Sequence, residues 1–188
     1  MSAADEHREI AAGFTARVRG TADWDAAAPV AGWTARDVVR HLVTWSREFL
    51  ASRGLAELPP VPSVDDDPVG AWAGHTEGMQ ALLESPAAGE VVDDPHLGTQ
   101  SLGELIAQIY LGDVFLHTWD LARATGQDER LDPDRCAAML AGMEPIEDVM
   151  RGSGHYGPRV EVPPDADVQT RLIGFIGRDP GWRPPAGG

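Results

Sequence analysis

The sequence predicts an all-α protein organised as a helix bundle, on three observations. Apolar residues recur at spacings of three and four along segment after segment. Those segments are bracketed by capping residues, or by proline and glycine. No stretch shows convincing strand alternation, and no phosphate-cradling glycine-rich loop follows a strand-like run. There is no internal repeat. With 188 residues, 43% of them hydrophobic, the chain is expected to form one domain, residues 1–188, with a sizeable core.

In chain order, residues 4–19 place Ile10, Phe14 and Val18 at four-residue steps, an amphipathic first helix with His7 on its solvated side. A loop ends at Gly32-Trp33. Thr34 then offers an N-cap, with Asp37 completing a capping box. The second helix, 35–52, carries Val38, His41, Leu42, Trp45 and Phe49 on one stripe, so His41 points inward. Residues 54–69 are rich in proline and aspartate and read as a crossover loop. The third helix, 69–84, presents Val69, Trp72, Ala73, Met79, Leu82 and Leu83, with His75 at a pocket or a helix edge. Residues 85–99 read as a second loop with His96 exposed. Ser101 and Glu104 cap the next helix, and Gly126 ends it as a left-handed C-cap. Asp132-Pro133 opens a fifth helix, 133–150, bearing Cys136, Met139, Leu140, Met143 and Val149, which Pro145 should kink or split. Residues 167–177 form a short last helix, and the Pro- and Gly-rich tail is expected to fray.

The chemistry concentrates in residues 102–126. At ~100° per residue, Leu102, Ile106, Ile109, Tyr110, Asp113, His117, Asp120 and Ala124 share one stripe. Leu111, Val114, Phe115 and Trp119 occupy the other side, so the helix is apolar nearly all round and belongs inside the fold. Ionisable groups there cost several kcal/mol unless paired or bound to a metal. Asp113 and His117 stand one turn apart, about 6 Å of rise, which suits two ligands on one cation with a third from elsewhere. The plain alternative is an Asp–His hydrogen bond in a core. His41 is open to both readings too, as a ligand or as a core histidine bonded to a carbonyl.

Composition excludes other classes. The chain has 15 basic and 30 acidic residues, a formal net charge of −15, which repels phosphate backbones and argues against nucleic-acid binding. Every basic residue is arginine, and abundant alanine, glycine and proline suggest a GC-rich genome. A lone cysteine, Cys136, rules out an internal disulfide and at helical spacing reads as a packed thiol. No apolar run of membrane-spanning length occurs, and the polar, acidic N-terminus is unlike a secretory signal. The expected location is the cytoplasm, with no membrane partner.

GWTARDVVRHL, DVFLHTWDLARATG and YGPRVEVPPDADVQTRLIGFIGRDP, in that order, resemble the DinB-like superfamily. Within it they are most similar to the actinobacterial branch containing the N-terminal domain of mycothiol-dependent maleylpyruvate isomerase. The resemblance implies an up-down-down-up four-helix bundle, here with additional C-terminal helices, and a divalent metal, usually zinc or nickel. It assigns the metal to His41, Asp113 and His117. Where the isomerase has glutamate this chain has Asp113, one methylene shorter, so either the helices approach more closely or affinity drops. No counterpart of the isomerase's separate C-terminal domain is expected. The implied function is a metal-dependent enzyme using a mycothiol-like thiol to transfer sulfur to, or isomerise, a small electrophilic substrate. A metal-dependent hydrolase and a non-catalytic small-molecule or metal-binding protein are the alternatives. Asp120 would hold a ligand histidine or fix the helix end. Arg123 would meet a substrate carboxylate or make a structural ion pair. Dimers are common in the superfamily, and exposed Trp72 or Trp182 would serve an interface between two copies.

Overall fold

Side-chain caps set where the helices begin. Ser2, Thr34 and Ser101 each accept the backbone N–H three residues on, while Asp5, Asp37 and Glu104 reach back to the cap, closing three capping boxes. Asp67 and Asp132 cap helices with Pro68 and Pro133 in the first turn, where the missing N–H costs nothing. The computed structural model of the chain describes residues 1–95, 97–152, 154 and 156–185. These starts open α1 (Ala3–Gly20), α2 (Ala35–Ser52), α3 (Pro68–Glu84) and a continuous central helix over residues 102–125. Gly126, at φ +67°, terminates the central helix in the left-handed conformation that glycine adopts freely.

Contacts along these helices give their directions. Leu50 and Met79 line one pocket a turn beyond the Ser46–His75 contact, so α2 and α3 run parallel, and a crossover such as residues 54–67 is what parallel neighbours need. His7 on α1 bonds Gln80, and Trp72 donates to Thr15, so α1 runs against α3. Ala3 lies beside Gly103, and Gln127 donates to the Arg17 carbonyl, so α1 runs with the central helix. His41 faces His117 while Trp45 faces Tyr110, so α2 opposes it. The result is an all-α, up-down-down-up bundle. Phe14, Leu42, Leu50, Trp72, Met79, Leu105, Leu111 and Trp119 fill its centre, fully buried. Cys136 is buried too, and burial pushes its thiol up to about 11, which suits a packing role.

Pro145 splits the fifth helix as expected: Pro133–Met143 gives way to a 3-10 turn, Glu144–Ile146, and then Glu147–Gly152. The last helix, Val168–Phe175, packs on Pro133–Met143.

Several expectations are corrected. The segment read as a loop contains an antiparallel hairpin, Val91–Asp94 with Gly98–Ser101. Its strands are short and largely exposed, so they carry no apolar alternation. They are tied by side-chain bonds, Leu97 N–H to Asp94 and Thr99 to Asp93. Buried Asp94 pairs with Arg53. His96 lies outside the described residues. His7 is buried, not solvated, because Gln80 and Thr76 on α3 satisfy both ring nitrogens at 2.6 and 3.3 Å. Trp72 is 1% exposed and serves the core, not an interface, and Trp182 is half-buried. Val69 and Val149 face solvent: one sits in a first turn, the other after the 3-10 turn that resets the helical phase. The tail through residue 185 does not simply fray, since Arg178 and the carbonyls of Pro180 and Trp182 bond back to the central helix. Among the described residues, no helix is long and apolar enough to cross a membrane.

Candidate metal centre

The central helix is not uniform. Between Leu102–Ile106 and Gly112–Thr125, residues Ala107–Leu111 form a π turn, whose extra residue breaks the 100° phase just before Asp113. The stripe therefore does not run unbroken from Leu102 to Ala124. Ile109 is only half-buried, while every residue from Val114 to Ala124 is buried. Tyr110, held on this turn, is buried and bonds His75 at 3.1 Å.

Just past the turn, Asp113 and His117 meet His41 from α2. His41 Nε2 lies 3.0 Å from Asp113 Oδ2, and His117 Nε2 lies 3.4 Å from Oδ1. The imidazole centroids are 4.9 Å apart. The Trp45 indole N–H, one turn along α2 from His41, donates to Asp113 Oδ2 at 2.8 Å. Trp33 lies against both rings, with centroids 5.0 Å from His41 and 5.7 Å from His117. The centre reaches solvent at His41 and Asp113, whose side chains are 32% and 24% exposed, whereas His117 is 5% exposed. This corrects the expectation that the whole trio lies in the interior.

Behind His117, Asp120 Oδ2 stands 2.8 Å from Nδ1, although the carboxylate lies off the ring N–H direction. Asp120 is 1% exposed and is met from the tail by Arg178, Nε to Oδ1 at 3.2 Å and Nη2 to Oδ2 at 3.4 Å. Burial alone would push His117 down, but Asp113 and Asp120 outweigh it and raise it to about 9. Burial would likewise raise Asp113 and Asp120. The His117 and His41 contacts hold Asp113 well below the usual carboxylate range, and those of His117 and Arg178 lower Asp120. A proton on His117 thus offsets the carboxylate charge that a cation would otherwise compensate.

The donor set fits a divalent metal. Each residue of the trio offers one atom, and these all lie within 4.8 Å of one another. Around zinc with bonds of roughly 2.0–2.2 Å, neighbouring tetrahedral ligands stand roughly 3.4 Å apart, inside the 4.8 Å that bounds the trio's ligand atoms. Small rotamer changes would draw both imidazoles in. Two imidazoles and a carboxylate suit zinc or nickel, and the short aspartate still touches both rings.

The remaining sequence candidates lie elsewhere. His75 is 0% exposed, bonded to Tyr110 and Ser46, and burial with nearby Arg47 lowers it to about 3, so it is a neutral core residue. Arg123 pairs with Glu129 at 2.7 Å, binds the Pro180 and Trp182 carbonyls and lies over Trp119, contacts that tie down the tail. Sequence reasoning missed three neighbours. Trp45, four residues after His41, could have been found as a polar tip on the same face. Trp33 and Arg178 had no local signal, because loop folding and tail packing bring them in.

Residues 4–122 match the family profile of the mycothiol maleylpyruvate isomerase N-terminal domain. Two uncharacterised Mycobacterium tuberculosis proteins, Rv0738 of strain H37Rv and MT0763 of strain CDC 1551, are similar. Each is 27% identical over 156 residues, covering 80% of this chain and 82% of theirs. No solved structure matches. With its profile matched over more than half the sequence, the chain belongs to the mycothiol maleylpyruvate isomerase N-terminal domain family.

Proposed function

We propose that the protein is a divalent-metal-dependent enzyme that uses a mycothiol-like thiol to transfer sulfur to, or isomerise, a small electrophilic substrate. The observation that carries this is the convergence of His41, Asp113 and His117 where His41 and Asp113 stay partly exposed to solvent. Zinc or nickel held there would supply Lewis acidity, stabilising a thiolate or polarising a carbonyl. His117 is met from behind by Asp120, which favours the proton on Nδ1 and leaves the Nε2 lone pair for a metal. Trp45 holds one carboxylate oxygen of Asp113 and so limits its rotation. Trp33 shields both imidazoles from water on its side, while the His41–Asp113 side admits ligands. Arg178 is engaged by Asp120, so the substrate's charge must be met by other groups.

The net charge of −15 supports a small-molecule substrate over nucleic acid. We place the protein in the cytoplasm, where low-molecular-weight thiols are kept reduced, and a homodimer remains part of the reading on the family's precedent.

The test is elemental analysis of the wild type beside His41→Ala and His117→Ala, followed by turnover of maleylpyruvate with and without mycothiol. About one equivalent in the wild type, lost in both variants, with thiol-dependent turnover, is the expected result. Equal metal content in all three removes the site. Ester turnover without thiol would move the reading to a hydrolase, and metal uptake without turnover of either substrate to a binding protein.

A further inference from the structure

The family profile ends at residue 122, yet the group that completes the centre from behind comes from the tail. We propose that Arg178 is a positioning residue for His117, acting through Asp120, so that the C-terminal segment is a working part of the centre. Asp120 is 1% exposed and Arg178 17%, so their two-point contact is largely sheltered from water. Asp120 Oδ2 is shared between His117 Nδ1 at 2.8 Å and Arg178 Nη2 at 3.4 Å. With both of its oxygens also facing the guanidinium, the carboxylate cannot rotate about its own axis without losing a contact. Fixing it restrains the imidazole through the 2.8 Å contact at Nδ1, and with it the direction in which Nε2 points.

The backbone around Arg178 is built for this placement. The Arg178 N–H donates to the Ile173 carbonyl at 3.0 Å, closing the last helix. Gly177 adopts φ +85°, and a Cβ there would stand 2.9 Å from the Gly157 backbone, so only glycine allows the turn that aims residue 178 at the central helix. Arg123 fastens the following carbonyls, Pro180 and Trp182, to the same helix. A simple structural ion pair would also tie down the tail, but it would leave His117 indifferent to the loss of Arg178.

The effect on metal affinity rests on the proposed metal site, whereas the effect on the His117 ring does not. The experiment compares wild type, Asp120→Asn, Arg178→Ala and the double variant, by zinc affinity in chelator competition and by the downfield ring N–H proton of His117 in metal-free protein. Loss of an outer partner of a ligand histidine is expected to weaken zinc binding by roughly 10–100-fold. Each single variant should show such a loss, the double no more than the larger one, and the ring proton should broaden or vanish in all three. Should Arg178→Ala not fold, Arg178→Lys, which lacks the two-point fork, carries the test with a smaller loss of the same sign. Additive losses, unchanged affinity in Arg178→Ala, or a ring proton that persists without Arg178 or is missing from the wild type would overturn the proposal. A wild type that takes up neither zinc nor nickel sinks the metal reading, and the ring proton still decides the coupling.

Discussion

Raising the pH of metal-free protein should destabilise it, and His117 sets the size of the effect. Its ordinary value of 6.5 is raised to about 9 in the fold, because Asp113 and Asp120 overcome its burial. A base with a raised folded value binds its proton more tightly folded than unfolded. Its contribution is therefore complete below pH 6.5 and is lost as pH rises through about 9. At about 1.4 kcal/mol per pH unit across that window, the loss approaches about 3 kcal/mol. Asp113 is lowered by the same contact, so its share is not a second increment. Below pH 6.5 the slope should reverse, since buried His7 and His75 are both lowered by burial and must gain protons to unfold. Urea unfolding in the presence of chelator, in steps from pH 5 to 10, should give a dome with its maximum near 6.5. With a urea slope of about 2 kcal/mol per molar, the midpoint should fall by about 1.5 M on the alkaline side. A flat profile from 6.5 to 9.5, or one that His117→Ala leaves unchanged, would refute the reasoning. Saturating zinc should flatten the alkaline limb, because a metal takes the place of the proton.

Other outcomes follow from single contacts. Zinc affinity should rise with pH up to about 9, since the proton on His117 competes for the same nitrogen, and chelator competition across pH 6–9 reads this directly. Trp45→Phe keeps an aromatic group but replaces the indole and so removes the N–H on Asp113 Oδ2, which should cost at least about 1 kcal/mol in unfolding free energy and loosen zinc binding several-fold. Gly177→Ala places a methyl group against the Gly157 backbone at positive φ and should lower stability by about 1–3 kcal/mol, measured by thermal melting beside Gly142→Ala, where nothing lies within 4 Å.

Helix starts were legible because they are local. Thr34 with Asp37, Ser101 with Glu104, and Asp132 with Pro133 act within one turn, so reading the letters is enough to place them. The placement of His41 on the α2 face that meets the central helix and the stacking of Asp113 on His117 were legible for the same reason, since both follow from helical spacing. The continuity of the 102–126 stripe was not, because a π turn alters the phase without any marker that periodicity can detect. The hairpin escaped notice because its exposed strands are held by polar side chains and carry no buried face.

By itself, the sequence determined which segments are helical, where they stop, and which ionisable side chains ride on the apolar helix. Those properties depend on neighbours within a few residues. Tertiary structure alone decided that His7 is buried against α3 and His75 is a neutral core residue, that Arg123 ties down the tail, and that Trp33, Trp45 and Arg178 surround the His–Asp–His cluster. Burial and charge pairing depend on what distant segments bring into a few ångströms, and a helical period carries no information about that distance.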